Sequence, residues 1–155
     1  MREPFRVDLG CGPRKPEGYF GIDRHPWPGV DQVADLTLGI PLGDDSVDEL
    51  RAFDIVEHLP EPILTMNEIW RVLKPGGIAE IFVPSTDGRG AFQDPTHKSF
   101  WNPNSFAYYR HGDAHRETFG DAYGIVARFN VKGLWEHHAP NNVIHISALL
   151  EAVKP

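Results

Sequence analysis

The chain has 155 residues, 41% of them hydrophobic, which is enough for one domain with its own core and too apolar for a disordered segment. Fifteen basic against 22 acidic residues give a net charge of −7, which argues against nucleic acid as a partner. A lone cysteine, Cys11, excludes an intrachain disulfide framework, and no apolar run reaches leader or membrane length, so a cytoplasmic protein without membrane contact is expected.

The first patterned stretch is Val7-Asp8-Leu9-Gly10-Cys11-Gly12, where apolar residues enter a G-x-G turn. Glycines at such a turn let backbone approach a ligand closely. A strand is expected over residues 5–9, followed by a Pro/Gly/charge loop over 13–18. Residues 19–23 read as a second short strand ending in Asp23, and residues 31–35 as a third ending in Asp35. The turn Gly43-Asp44-Asp45-Ser46 leads into a fourth strand over 47–53. A helix is expected over 62–73: Pro62 suits a first turn, and Ile63, Met66, Ile69, Trp70 and Leu73 repeat at helical spacing. Lys74-Pro75-Gly76-Gly77 is a helix stop, and the nearly all-apolar residues 78–83 read as a fifth, central parallel strand. Residues 129–135 and 143–153 complete the set as a hairpin.

The ordered motifs DLGCG, GID, ADL, EHL and RVLKPGG resemble those of the class I S-adenosylmethionine-dependent methyltransferases, particularly the small type 11-like domains. The resemblance covers roughly residues 6–84, with a weaker echo in the last thirty. It implies an α/β fold with a Rossmann-like sheet, mostly parallel with an antiparallel last strand, and S-adenosylmethionine as cofactor. It assigns Asp8, Gly10, Cys11 and Gly12 to the methionyl end, Asp23 to the ribose, and Asp35 with Leu36 to adenine. Phe53 and Asp54, beside the EHL stretch, are carried over as pocket-lining, whereas His58 is read more readily as packing than as a base. A nicotinamide-dinucleotide site fits poorly, because Lys15 stands where the third glycine belongs and the acid comes too early.

The chain departs from that family in its crossovers. Gly12 to Asp23 and Asp23 to Asp35 are 11 and 12 positions, too short for an ordinary helix in either connection. Shortened or missing crossover helices would leave one sheet face bare. The long segment after the fifth strand, or a second copy of the chain, is expected to cover it.

Residues 84–124 are read as an insertion in a single domain, placed where the resembling family builds its acceptor site. Within it His97, Asp94 and Tyr108 are the candidate catalytic bases for methyl transfer to an oxygen or nitrogen of a small or medium acceptor. The aromatics Phe100, Trp101, Phe106, Tyr108 and Tyr109 are read as a satellite core packing on the uncovered sheet face. A non-catalytic module binding S-adenosylmethionine or a nucleoside is the alternative. A metal-assisted hydrolase or lyase ranks lower: His111 and His115 have helix-face spacing, but Gly112 interrupts it, and no metal ligand set is assigned.

Overall fold

In the computed structural model, which describes residues 1–155, seven strands form one sheet. They are β1 (Arg6–Leu9), β2 (Phe20–Asp23), β3 (Gln32–Val33), β4 (Val47–Phe53), β5 (Leu73–Pro84), β6 (Phe129–Ala139) and β7 (Val143–Ala152). Their spatial order is β3-β2-β1-β4-β5-β7-β6. The first five strands are mutually parallel, and β7 runs antiparallel to both β5 and β6. This is the expected Rossmann-like sheet. Its strand order reverses between β1 and β4, the switch point at which open α/β sheets bind ligands.

Helix α1 (Pro62–Val72) forms where the helical spacing placed it and buries Thr65, Met66, Ile69 and Val72 against the sheet. The strands meet it with one row of apolar side chains in register: Val7 lies opposite Leu50, Leu50 opposite Ala79, and Ala79 opposite Leu150. All belong to one continuous core. The crossovers from β1 to β2 and from β2 to β3 contain no α-helix, only a 3-10 turn at Gly12–Arg14 in the first.

The expectation that the segment after β5 covers the bare face is overturned. Trp101, Phe106, Tyr109 and Ile125 join the same core as Met66 and Ile69, beside α1. The amide of Asn67, on α1, clamps this segment by donating to Gly124 O and accepting from the backbone N–H groups of Val126 and Ala127. The other face carries Arg51 stacked 4.0 Å above the Phe53 ring, Phe53 against Phe82, and Phe82 stacked on His145 with ring centroids 4.5 Å apart. These side chains stay partly exposed, with Gly90 and Gln93, from the segment after β5, facing His145 across a small cavity at the end of the row.

Three boundaries also differ from expectation. β3 keeps only two residues because the acids flanking it are occupied elsewhere. Asp31 accepts the Gly21 N–H, and Asp35 accepts from Thr37 N as the cap of a 3-10 turn (Leu36–Leu38). β5 starts at Leu73, five residues early, pairing Leu73 with Val47 before a register shift. β6 runs on to Ala139, so His137 and His138 lie in the strand, and the hairpin turns on Asn141 and Asn142 at φ 65° and 59°. Within the long segment the chain forms α2 (Gly90–Gln93), a 3-10 helix (Pro103–Tyr109) and α3 (Ala114–Tyr123). No helix of the chain is long and apolar enough to cross a membrane.

Candidate active site

A cavity of about 340 Å³ opens at the C-terminal ends of β1, β2 and β4, a volume within the range of small-molecule sites. Gly10, Asp23, Asp35, Leu36 and Asp54 line it. The chain leaves β1 by folding over the end of β2, with the N–H groups of Gly10 and Cys11 both donating to Ile22 O. Gly10 takes φ +62°, and a Cβ there would lie 2.7 Å from the Ile55 side chain. Only glycine meets both demands, so the floor of the cavity is bare backbone.

Asp23 is nearly buried, and each of its oxygens is fixed by backbone: Gly12 N–H donates to Oδ2 at 2.9 Å and His25 N–H to Oδ1 at 2.8 Å. Each oxygen keeps a lone pair for a hydroxyl donor. Asp35 spends Oδ1 on the backbone N–H and hydroxyl of Thr37, which hold its carboxyl below the ordinary range, and leaves Oδ2 unbonded. Asp54 follows β4 directly at φ 53°, a left-handed conformation that non-glycine residues seldom adopt. Its N–H donates to Phe82 O, and its Oδ1 lies 3.4 Å from His145 Nε2.

Four residues expected at the cofactor do not line this cavity. The Asp8 side chain sits on the open face, 3.3 Å from the Arg51 guanidinium, because strand alternation turns it away from the core row. Burial raises its carboxyl to about 6, against the opposing pull of Arg51 and Lys15. Phe53 lies on the same open face under Arg51. Cys11 packs toward Gly21, where burial pushes its thiol up, and Gly12 reaches the site only through the N–H it gives to Asp23. Arg24, His25, Trp27, Ala34, Thr37, Ile55, His58, Leu59 and Thr96 also line the cavity, although no sequence motif singles them out as cofactor contacts. Most follow a strand end by a few positions, which was the available signal.

A second cavity, of about 180 Å³, adjoins the first and shares Asp54 and His58 with it. Glu57, Asp94, His97 and His145 line it. The backbone N–H groups of Lys98 and Ser99 donate to Glu57 O at 2.7 and 3.0 Å, which holds the segment after β5 against the turn after β4. His97 Nδ1 lies 2.8 Å from Ala91 O, and His97 Nε2 lies 3.7 Å from Asp94 Oδ2. Asp94 and His97 are therefore brought together. Tyr108 is not with them: it lines an apolar cavity with Pro62, Ile63 and Trp101, and its ring meets His115 edge-on. His111 precedes the Asp113 cap of α3 while His115 lies inside the helix, so this pair shares no helix face.

Residues 22–81 match the family described as a methyltransferase domain. A probable S-adenosylmethionine-dependent methyltransferase of Mycolicibacterium smegmatis is 33% identical over 107 residues, covering 56% of this chain and 39% of that protein. An uncharacterised methyltransferase of Mycobacteroides abscessus is 34% identical over 64 residues, covering 41% of this chain and 24% of that protein. The chain thus matches well under half the length of these curated relatives. Among solved structures, the SAM-dependent methyltransferase of Methanosarcina mazei superposes with a TM-score of 0.63 at 16% identity, covering 100% of this chain and 95% of that one. A putative methyltransferase in complex with the Haloferax volcanii Trm112 methyltransferase activator gives 0.69 at 19% identity, covering 97% of this chain and 83% of that one. These two establish a shared fold.

Proposed function

We propose that this chain is a class I methyltransferase of the type 11-like family, whose methyltransferase domain residues 22–81 match, and that it binds S-adenosylmethionine and methylates an oxygen or nitrogen of a small or medium acceptor. The observation that carries the reading is the cavity at the switch point, floored by Gly10 and walled by Asp23, Asp35, Leu36 and Asp54. When bound, the cofactor supplies an electrophilic methyl group on a sulfonium. Asp23 would hold the ribose hydroxyls on the lone pairs that Gly12 and His25 leave open. The unbonded Oδ2 of Asp35, with Leu36 beside it, would hold the adenine amine. The bare backbone at Gly10 leaves room for the methionyl part.

The acceptor side would be the adjoining cavity. With Nδ1 hydrogen-bonded to a carbonyl, His97 presents a lone pair at Nε2, which can take a proton from an acceptor hydroxyl as the new bond to carbon forms, or from an acceptor ammonium before its nitrogen attacks. Asp94 beside it would stabilise the imidazolium. Replacing His97 by Ala should lower turnover and leave cofactor affinity nearly intact; equal loss of both would make His97 structural.

A non-catalytic cofactor-binding module is the second reading, favoured by the helix-free crossovers beside the cavity. Binding without turnover over a panel of hydroxyl and amine acceptors would support it. A second copy of the chain belongs to either reading as the cover for the open face, since parallel sheets are seldom left bare. Sedimentation should then report twice 17.4 kDa, and a monomer would remove this partner.

A further inference from the structure

We propose that Glu57, His58 and His97 form a binding site for one divalent transition-metal ion of the zinc class. Glu57 is 2% exposed, yet its Oε2 has no hydrogen-bond partner. A buried carboxylate left in that state is costly unless a cation or proton meets it. One donor atom from each of Glu57, His58 and His97 falls within 4.8 Å of the others, and His58 Nε2 is 3.6 Å from Glu57 Oε1.

The hydrogen bonds around the two imidazoles fix their tautomers. Ala91 O can only accept, so His97 Nδ1 carries the hydrogen and Nε2 the lone pair. His58 Nδ1 lies 3.3 Å from Thr96 O and 3.1 Å from Thr96 Oγ1. That hydroxyl gives its own proton to Asp94 Oδ1 at 2.6 Å, so it too must accept from His58. Both Nε2 atoms therefore present lone pairs, and Glu57 adds a third donor with nothing on the chain to answer it. Imidazoles that ligate a metal through one nitrogen characteristically give the other N–H to a backbone carbonyl or similar acceptor. A proton on Glu57 would satisfy one of these lone pairs. A metal ion satisfies three.

Two histidines and a carboxylate are the ligand set of open, three-ligand sites for zinc and related divalent ions. Donors around such an ion stand about 3–3.5 Å apart, so side-chain rotation of an ångström or so closes this set. The two loops need not move, because Lys98 and Ser99 already bind them to each other through Glu57 O. Asp94 Oδ2, 3.7 Å from His97 Nε2, can supply a fourth ligand; otherwise that position is left to water or to a guest. The cavity that holds the set shares Asp54 and His58 with the larger one. On the methyl-transfer reading, and only on it, the ion would acidify a bound acceptor hydroxyl and take over the task of His97 as base.

The test uses the full chain stripped with a chelator, titrated with Zn²⁺ by calorimetry and with Co²⁺ by visible absorption. One equivalent should bind, with Co²⁺ d–d bands. His58→Gln and His97→Gln should each weaken binding by at least about tenfold. Glu57→Gln, close to the parent in shape, should lose the Co²⁺ bands while circular dichroism stays native. Combined replacement of His111 and His115 by Gln should change nothing. Absence of saturable binding by the folded chain, or binding indifferent to His58 and His97, would overturn the site. S-adenosylmethionine binding is measured separately with chelator present, so failure of the cofactor reading leaves the metal result standing, and the reverse.

Discussion

The imidazole of His97 stands edge-on to that of His58, with ring centroids 5.0 Å apart, although one belongs to the connection after β4 and the other to the segment after β5. That meeting joins the expected cofactor cavity to the expected acceptor cavity. It rests on backbone, through the hydrogen bonds that Lys98 and Ser99 give to Glu57 O.

His97→Ala should reduce turnover by roughly 10²–10⁴-fold, the usual weight of a positioned base. Cofactor affinity should stay within a few-fold of the parent, because His97 does not line the larger cavity. Steady-state kinetics with calorimetry on the same protein separates the two quantities.

Gly10→Ala should destabilise the fold by about 2–4 kcal/mol, combining a left-handed backbone with a Cβ driven into Ile55. Thermal unfolding of the parent and the variant checks it. A variant within about 0.5 kcal/mol of the parent would mean that the turn after β1 relaxes freely.

Trp101→Ala should cost about 3–5 kcal/mol, since the side chain is 2% exposed, packs on Phe106 and Tyr109, and donates its indole N–H to Ser99 Oγ. Denaturant unfolding provides the number. The loss should appear without any acceptor or cofactor, because the residue belongs to the core.

Asp8 makes stability depend on pH. Its folded value of about 6 lies above the ordinary 3.8, so between these values the native chain binds more protons than the unfolded one. Unfolding free energy then falls as pH rises through that window and levels off near pH ~7, a loss of roughly 3 kcal/mol at most. Asp8→Asn imitates the neutral acid and should flatten this part of the curve. Melting temperatures of both proteins at pH 4 to 7 measure the difference, and parallel curves would contradict it.

Helix α1 was legible in the sequence because its burial follows helical spacing over Pro62–Val72. Strand β4 was legible because it follows the turn Gly43-Asp44-Asp45-Ser46, although its alternation holds only over Leu50–Phe53, after a register shift near Val47. The cavity-lining acids Asp23, at the end of β2, and Asp35, two residues past β3, were legible because Gly10 and the fifth strand set the frame around them. The extent of β3 was not, because Asp31 and Asp35 look like strand residues until their carboxylates are seen to hold turns. Nor does an aromatic segment announce which face it will cover. Trp101, Phe106 and Tyr109 would satisfy either, and the clamp at Asn67 decides. Glu57 was the least legible: a charged residue at the start of a turn reads as solvated, and only the backbone bonds from Lys98 and Ser99 show why it is buried.

The central claim, a cofactor cavity at the switch point, is tested most directly by calorimetric titration of the metal-free chain with S-adenosylmethionine and S-adenosylhomocysteine. One equivalent of each should bind, and Asp23→Asn, which keeps the carboxylate's shape, should weaken both by roughly 10- to 100-fold. No binding by a folded sample, or binding that Asp23→Asn leaves unchanged, would contradict the account.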